Sequence, residues 1–370
     1  MRYVQINSFY NGSTGAIMRG LHRELSEQGE DSYIFWGRRH KTIDDREWCF
    51  ATKLGYLWHG GMVRLFGHSG FYSKRDTERL LRRLDEIDPD VVHLHNLHGY
   101  YANVEMLFGW LSQHRCQVRW TLHDCWAFTG HCIHFTMVKC MQWQSHCIYK
   151  GKCPQVREYP KTIAGSRVVG EDFDRKKAAF TSLSPDRMTL VTPSKWLAEL
   201  VGRSFLSKYP VEVIPNKIDK TVFKPTPSDF REHHGIGNRF MVLGVASPWA
   251  ERKGLGDFVK LAGELDPERF AIVLVGLSRR QIRKLPKGIV GLERTSSPKE
   301  LAAIYTAADI FFNPTWEDNY PTVNLEAEAC GTPVLTRDVG GCKETVFSSE
   351  SCVYRSFEQV VPLIEGRAGK

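Results

Sequence analysis

The sequence predicts an α/β protein of two doubly wound, Rossmann-like domains that face each other across a cleft. Three observations support this fold class: strand segments alternate with helical segments in both halves, a segment of linker composition follows the first half, and 370 residues suit two domains of ordinary size. Because ligands of open parallel sheets bind beyond the carboxyl ends of the strands, we expect the functional residues at those ends.

The first half contains short apolar runs that alternate with segments of helical periodicity. Strands are predicted at 2–7, 32–36, 90–95, 116–122, 188–191 and 211–214, and helices at 16–28, 77–87, 105–113 and 193–206. Residues 11–15 are predicted as a tight loop, and residues 155–185 are polar with little strand character. We assign residues 1–218 to the first domain, with a cysteine-rich insertion at about 125–155.

The second half repeats the alternation after the linker-like stretch 224–228. Strands are predicted at 240–246, 270–275, 289–292, 309–313 and 333–336, and helices at 255–265, 298–307 and 322–329. We assign residues 219–370 to the second domain.

Composition and charge narrow the functional classes. The sequence has no run of about 18 apolar residues, so a membrane-spanning helix is not expected. Its first residues are typical of a strand and lack the pattern of a signal peptide, so we expect a cytoplasmic protein. The net charge of +8 suits nucleic acid, an anionic membrane surface or anionic substrates. Basic and aromatic residues mix over 53–83, which fits either a bilayer headgroup region or a solvated helix face above core aromatics.

The segment 316–327 has the pattern of an anion site at a helix start. Pro321 suits the first helical turn, and the free amides of Thr322 and Val323 would then face a diphosphate. Glu326 follows one turn later, where a carboxylate could accept hydrogen bonds from ribose hydroxyls. An ordinary capped helix is the alternative interpretation.

Two further loops could hold phosphate. Arg252, Lys253 and Gly254 follow the first strand of the second domain, where lysine offers a point charge and arginine a fork of donors. Thr14 and Gly15 lie in the loop after the first strand of the chain, where backbone can approach a ligand closely. Each feature is common in proteins and identifies no ligand by itself.

Histidines cluster at the predicted strand ends of the first domain. His123 and Asp124 close the strand 116–122, where they could position a hydroxyl group or share a proton; a structural role is the alternative. We expect His93 to pack in the core, and His95 and Asn96 to line the cleft.

Four segments together resemble a known family: 90–95, 192–197, 214–223 and 318–334. The chain resembles the retaining glycosyltransferases of family 4 from Met1 to about Val346. The family motif has two acidic residues separated by seven, and Asp318 and Glu326 keep that spacing. The resemblance implies a GT-B fold, with an acceptor-side first domain and a nucleotide-sugar-binding second domain. It also implies transfer of a hexosyl group from a UDP- or GDP-linked sugar with retention of configuration.

The resemblance implies further properties of the reaction and its site. No catalytic metal is expected, because protein cations and helix dipoles stabilise the departing diphosphate. The acceptor would be a saccharide or lipid-linked saccharide at the inner membrane face, in bacterial surface polysaccharide assembly. The implied catalytic residues are His123, Asp318 and Lys253. The implied donor-binding residues are Thr14, Gly15, Arg252, Lys253, Tyr320, Pro321, Thr322, Val323 and Glu326.

The sequence also departs from the family pattern. The first acidic position is usually Glu and is Asp318 here, one methylene shorter. Family members commonly carry Arg a few residues before the phosphate-binding Lys, whereas this chain has Val-Ala-Ser at 245–247, so Arg252 is the candidate substitute. Only Gly12 and Gly15 represent the paired glycines of the first loop.

The insertion carries four cysteines, which resemble those of a bacterial subgroup of the family: Cys132, Cys140, Cys147 and Cys153. Four thiolates could form a tetrahedral structural zinc site. Free thiols or a disulfide are the alternatives.

Two other functions were considered. A GT-B nucleotide-sugar epimerase would share the architecture, but no catalytic set for it is evident in the sequence. A nucleic-acid-binding module with a Cys/His metal site would agree with the positive charge, but that charge is spread thinly and the motifs favour a diphosphate.

Overall fold

A computed structural model describes residues 1–38, 40–148 and 151–369 as two compact units, Met1–Pro215 and Asn216–Lys370. Each unit contains one parallel β-sheet with connecting helices. The predicted α/β fold class is confirmed, while the predicted acceptor and donor roles of the two domains stay predictions.

The first unit has a seven-stranded sheet in the order β3-β2-β1-β4-β5-β6-β7, with every neighbouring pair parallel. Its strands are β1 Arg2–Phe9, β2 Asp31–Arg38, β3 Glu47–Cys49, β4 Val91–Leu94, β5 Gln117–Thr121, β6 Met188–Thr192 and β7 Val211–Val213. Its helices are α1 Ser13–Glu27, α2 Lys53–Phe66, α3 Lys74–Ile87, α4 Val104–Gln113, α5 Arg167–Phe180 and α6 Lys195–Gly202. The strand order reverses between β1 and β4, which is where sheets of this kind bind ligands.

The second unit has a six-stranded parallel sheet in the order β10-β9-β8-β11-β12-β13, and its order reverses between β8 and β11. Its strands are β8 Phe240–Val245, β9 Phe270–Val275, β10 Ile289–Leu292, β11 Ile310–Asn313, β12 Val334–Arg337 and β13 Cys352–Tyr354. Its helices are α7 Phe230–His233, α8 Leu255–Glu264, α9 Arg279–Ile282, α10 Pro298–Ala307, α11 Thr322–Ala329 and α12 Val360–Ala368.

Both faces of the second sheet are covered by apolar side chains. Val242 of β8 packs in one cluster with Phe258 of α8 and Ile364 of α12. The adjacent strand residue, Leu243, packs in another cluster with residues of α10 and α11. Successive strand residues point to opposite faces, so helices lie on both sides and the unit is doubly wound.

One local prediction for the first unit was wrong. Helix α1 begins at Ser13, so Thr14 and Gly15 lie in its first turn and not in a loop. The polar segment 155–185, which was predicted to have little strand character, contains a helix that the sequence analysis did not identify: α5 buries Val169, Phe173 and Phe180 at helical spacing.

The insertion between β5 and α5 is compact. It contains two short 3₁₀ segments, Trp126–Phe128 and Gln142–Gln144, and the side chains of Trp126, Phe128 and Trp143 belong to the apolar core of the first unit. Within the parts of the chain that the structure describes, no helix has both the length and the hydropathy needed to cross a membrane.

Candidate active site

The loop between β11 and α11 carries the predicted anion site. Asn313, the last residue of β11, donates to Asn324 Oδ1 at 2.8 Å, and Asn324 donates to Thr345 Oγ1 at 2.8 Å. These buried amides fix the helix start against the strand end. Pro321 occupies the N-cap position, one residue before the predicted first turn, and its side chain makes no capping hydrogen bond. A proline side chain has no acceptor atom, so the N-cap residue does not occupy the first amides of α11.

Lys253 and Asp318 meet in this loop. Lys253 Nζ donates to Asp318 Oδ2 at 2.5 Å, and both side chains are largely buried. Arg252 Nη1 donates to the Glu317 carbonyl at 3.2 Å, and the Arg252 carbonyl accepts from the Trp316 amide at 2.7 Å. The structure thus brings together two motifs that lie about 65 residues apart, and it places both cations beside the start of α11.

Glycines allow these loops to approach each other. Gly254 has φ +76°, and a Cβ there would lie 2.6 Å from the Pro314 carbonyl oxygen. Gly340 has φ +56°, and a Cβ there would lie 2.0 Å from the Asp318 carbonyl oxygen, which accepts from the Gly341 amide at 3.2 Å. The sequence prediction missed the Gly340 contact, although the glycine pair after β12 is a visible signal.

Glu326 is held by a residue that sequence reasoning did not identify. Tyr305 of α10 donates its hydroxyl to Glu326 Oε2 at 3.1 Å. Burial raises the pKa of Glu326, and hydrogen bonds from Tyr305 and Thr322 oppose that shift. Burial also raises the pKa of Tyr305 well above its usual range, so this phenol stays a hydrogen-bond donor. One carboxylate oxygen is engaged by Tyr305, and the helix places the group one turn beyond the amides of α11.

Three histidines stack at the carboxyl ends of β4 and β5 in the first unit. His93 Nε2 lies 2.7 Å from Thr121 Oγ1, and His95 Nδ1 lies 3.2 Å from His123 Nε2. The His93 and His95 rings, and the His95 and His123 rings, are stacked. Burial lowers the pKa of His93 to about 3 and that of His123 to about 4, and lowers the pKa of His95 well below its usual range. All three imidazoles are therefore neutral at pH 7.

Asp124 pairs with His98, which lies in the loop after β4. His98 Nε2 lies 2.7 Å from Asp124 Oδ2, and His98 Nδ1 lies 3.2 Å from the Tyr159 hydroxyl. Burial alone would raise the pKa of Asp124, but the charge and hydrogen bond of His98 outweigh it, and the pKa is lowered to about 2. His98 and Asp124 line one small cavity of the first unit, together with His95, Asn96 and His123. His123 and Asp124 thus lie at the predicted strand end, with His95 beside His123 and His98 beside Asp124, and their functional role stays a prediction.

Thr14 and Gly15 lie beside the same sheet edge. Asn7 of β1 donates to Thr14 Oγ1 at 3.3 Å, and a Cβ on Gly15 would lie 2.1 Å from the Tyr10 carbonyl oxygen. The His95 amide donates to the Ile6 carbonyl of β1 at 2.9 Å, which ties the end of β4 to β1. The start of α1 and the histidine cluster thus flank the point where the strand order reverses.

Comparison with known families agrees with this geometry. The model described as Glycosyltransferase Family 4 matches residues 15–222, more than half of the chain, and the model described as Glycosyl transferases group 1 matches residues 238–357. The chain belongs to glycosyltransferase family 4. Family 4 membership makes the protein a glycosyltransferase and confirms that prediction.

Curated relatives of this family 4 chain include two bacterial enzymes. The putative colanic acid biosynthesis glycosyl transferase WcaC of Escherichia coli K12 is 24% identical over 99% of this chain and 90% of WcaC. The alpha-galactosylglucosyldiacylglycerol synthase of Streptococcus pneumoniae R6 is 28% identical over 42% of this chain, and the match spans only 44% of that relative.

Solved structures share the GT-B fold of the family. The sucrose-phosphate synthase of Thermosynechococcus elongatus superposes with a TM-score of 0.71 at 15% identity, covering 100% of this chain and 90% of the other. WaaG, a glycosyltransferase involved in lipopolysaccharide biosynthesis, superposes with a TM-score of 0.65 at 14% identity, covering 100% of this chain and 91% of WaaG. Anabaena HepE, solved in complex with UDP, superposes with a TM-score of 0.63 at 14% identity, covering 99% of this chain and 89% of HepE. The predicted GT-B architecture is confirmed.

Proposed function

We propose that this enzyme transfers a hexosyl group, with retention of configuration, from a UDP- or GDP-linked sugar to a saccharide or lipid-linked saccharide acceptor. The observation that carries the donor assignment is the Lys253–Asp318 pair beside the uncapped start of α11. A lysine ammonium, an arginine and the amides of a helix start that the N-cap side chain leaves unoccupied would form an anion site with the charge and donors that a diphosphate requires.

The donor nucleotide would lie along α11. Lys253 and Arg252 would hold the phosphates together with the amides of Tyr320, Thr322 and Val323, with Pro321 setting the turn between them. Glu326, oriented by Tyr305, would accept from the ribose hydroxyls. The structurally similar HepE was solved with UDP and with UDP-glucose, which supports a nucleotide-sugar donor for this chain.

Catalysis would depend on stabilising the departing diphosphate. Negative charge grows on the phosphate as the bond to the sugar breaks, and Lys253 and the α11 dipole would stabilise that charge without a catalytic metal. The phosphate would compete with Asp318 for Lys253, which would free Asp318 to accept from a donor sugar hydroxyl. The acceptor hydroxyl would attack from the same face, and the leaving phosphate would take its proton.

The first unit would supply the acceptor-side groups. His123 would lie over the reacting face of the sugar, and neutral imidazoles suit this role because they can accept from hydroxyl groups. Thr14 and Gly15 would contact the diphosphate through the first turn of α1. The His98–Asp124 pair would position an acceptor hydroxyl.

Two relatives and an exposed helix face support the proposed acceptor class. WcaC is named for colanic acid biosynthesis, and the pneumococcal relative for a diacylglycerol glycolipid. Helix α2 exposes five large apolar side chains, here called the α2 patch: Leu54, Leu57, Trp58, Leu65 and Phe66. Lys53 and Arg64 lie on the same helix, so the patch suits an anionic bilayer surface. We therefore propose a cytoplasmic enzyme that binds the inner membrane face during surface polysaccharide or glycolipid assembly.

A thermal-shift panel of UDP, GDP, UDP-sugars and GDP-sugars tests the proposal. Ligands that bind only the folded state raise the melting temperature by mass action, so one nucleotide series should raise it and the other should not. ADP and inorganic phosphate are the controls. The absence of a shift with every nucleotide sugar would contradict the proposed donor site.

Product analysis then tests the reaction itself. Incubation of the shifting nucleotide sugar with acceptor extracts should yield free nucleoside diphosphate and a glycosylated acceptor with the donor's anomeric configuration. Conversion of the nucleotide sugar to an epimer without any acceptor would indicate epimerase activity instead.

A further inference from the structure

The four cysteines of the insertion surround one small cavity in the first unit. Cys132, Cys140, Cys147 and Cys153 all line it, and its volume of about 20 Å³ accommodates a single water-sized occupant. All four are free cysteines. Cys132 is within electrostatic range of the other three thiols, although the four are spread over more than twenty residues of chain. Their convergence is therefore a product of the fold and not of sequence proximity.

Backbone amides already point at two of these sulfurs. The Gly130 amide donates to Cys147 Sγ at 3.2 Å, and the amides of Gln155 and Val156 donate to Cys153. Burial raises the pKa of the Cys147 and Cys153 thiols, and these amide hydrogen bonds oppose that shift, because hydrogen bonds to a charged acceptor are stronger. Thiolate, and not thiol, is the form that ligates metals.

A buried histidine and a buried lysine lie close to these thiols. His131 lines the cavity and is almost fully buried, and its Nε2 has no hydrogen-bond partner among the described residues. Lys176 is fully buried and donates to the carbonyls of Trp126 and Thr129, each at 3.0 Å. Burial lowers the pKa of Lys176 to about 7, and Cys132 and Cys147 oppose that shift electrostatically. A divalent ion held by four thiolates carries a net charge of −2, which would favour the protonated form of Lys176.

We propose that the cavity binds one zinc-class divalent ion through the thiolates of Cys132, Cys140, Cys147 and Cys153. The ion would cross-link the insertion, which has little regular secondary structure of its own. In the part of the chain that the structure describes, no three His, Cys, Asp or Glu side chains form a ready-made metal-binding group. The thiols therefore rotate toward the cavity centre on binding, to reach Zn–S distances of about 2.3 Å.

The site would also support the acceptor-side cavity. Tyr159, the partner of His98, follows Cys153 closely in the chain, so fixing Cys153 restricts the position of the Tyr159 hydroxyl. This consequence rests on the proposed function, whereas metal binding does not.

Metal analysis of the full chain, purified without chelator, tests the site. We expect about one zinc per chain, four thiols protected from Ellman's reagent in the native protein, and a mass without disulfides. After the metal is removed under reducing conditions, Co²⁺ should restore thiolate-to-cobalt charge-transfer bands and tetrahedral ligand-field bands. Substoichiometric metal with four reactive thiols, or a mass lower by four hydrogens, would overturn the proposal in favour of free thiols or two disulfides.

Substitutions distinguish the cysteines that ligate the ion from nearby residues that do not. Cys140→Ser and Cys147→Ser should each lower the bound zinc at least tenfold in competition with a chromogenic chelator. Cys49→Ser, a half-buried cysteine of the same unit outside the cavity, should leave it unchanged. His131→Asn should keep the stoichiometry of bound zinc. Loss of zinc from the His131→Asn protein, with zinc retained by the Cys140→Ser protein, would overturn the four-cysteine ligand set. If Cys147→Ser fails to fold, the cobalt spectra of the unmodified protein and of Cys140→Ser decide the question.

Discussion

Lys253 Nζ donates to Asp318 Oδ2 at 2.5 Å, although the two residues lie in loops that follow different strands, β8 and β11. These strands are neighbours at the point where the strand order of the second sheet reverses. The pair therefore occupies the ligand-binding edge of the sheet, and it keeps a largely buried ammonium charge neutralised. Under the proposed function, the donor phosphate would replace the carboxylate as the partner of Lys253.

Replacing this lysine should reduce transfer far more than it alters folding. Lys253→Met removes the charge that would stabilise the leaving diphosphate, so we expect kcat to fall about 100-fold or more. The melting temperature of the ligand-free protein should change little, since the Lys253–Asp318 attraction is offset by desolvation. Initial rates with saturating donor, alongside a melting curve, measure both effects.

The matched control is Lys260→Met. Lys260 lies on the exposed side of α8, close in sequence, and pairs with Glu264 at 3.8 Å. Its replacement should leave kcat within about twofold, because exposed ion pairs contribute little. Equal rates for the Lys253→Met and unmodified enzymes would rule out a role for Lys253 in the transition state.

Tyr305 and Glu326 should act together on the ribose. Loss of the Tyr305 hydroxyl frees Glu326 to change rotamer, so Tyr305→Phe should weaken UDP or GDP binding about three- to tenfold. Glu326→Gln removes the charged acceptor and should weaken binding about tenfold or more. Titration calorimetry with the preferred nucleoside diphosphate measures both.

Binding of inorganic pyrophosphate distinguishes a loss of ribose recognition from a structural change in the anion site. Because it has no ribose, its affinity should be the same for the unmodified, Tyr305→Phe and Glu326→Gln proteins. Glu268→Gln, an exposed glutamate between α8 and β9, is the control for loss of charge. If both variants lose pyrophosphate binding in parallel, Glu326 shapes the anion site and does not recognise the ribose.

The loop and helix start around Pro321 could be predicted from sequence because their signals are local. Pro321, the following helical segment and the spacing from Asp318 to Glu326 lie within a single loop and helix. The Tyr305–Glu326 hydrogen bond could not be predicted in this way. It joins two helices separated by a strand, and nothing in the pattern of α10 distinguishes Tyr305 from an ordinary core residue.

The contacts of the histidine cluster could not be predicted from sequence, for a different reason. His123 and Asp124 are adjacent in sequence, but consecutive residues leaving a strand point in different directions. His123 therefore meets His95, while Asp124 meets His98 in the loop after β4. Helix α5 was missed for another reason: its apolar residues keep helical spacing, but the many charged residues between them mask the pattern.

The α2 patch should mediate binding to anionic vesicles. The double change Leu54→Ser and Trp58→Ser removes two exposed apolar side chains, each worth about 1.5–3 kcal/mol when buried in a bilayer interface. We expect at least tenfold weaker cosedimentation with phosphatidylglycerol-containing vesicles, and unchanged transfer to a water-soluble acceptor. Binding of the unmodified protein should also weaken with added salt, since Lys53 and Arg64 contribute electrostatically.

Phe347→Ser is the control for this surface. Phe347 is 70% exposed in the second unit and lies outside the α2 patch, so its loss should not change vesicle binding. Equal loss of binding in both proteins would indicate nonspecific adsorption of apolar surface and would argue against the patch.

The stacked histidines should make the stability of the first unit sensitive to acid. Burial lowers the pKa values of His93, His95 and His123, so the folded state keeps them neutral while the unfolded chain takes up protons below about pH 6.5. Their contribution is fully present above that pH and is lost as the pH falls toward 4. At pH 5 each neutral buried histidine should lower the unfolding free energy by up to about 2 kcal/mol relative to pH 7.

Denaturant unfolding at several pH values from 7 to 5, followed by tryptophan fluorescence, measures the slope of the unfolding free energy against pH. Eight of the ten tryptophans lie in Met1–Pro215, so the signal reports mainly on the first unit. His93→Asn keeps a polar partner for Thr121 but does not titrate in this range, and it should make the slope shallower. His233→Gln, at an exposed histidine of the second unit, should leave the slope unchanged. If the His93→Asn protein has the same slope as the unmodified protein, proton uptake by His93 in the unfolded chain does not contribute to the acid sensitivity. The sensitivity would then come from His95, His123 or other groups.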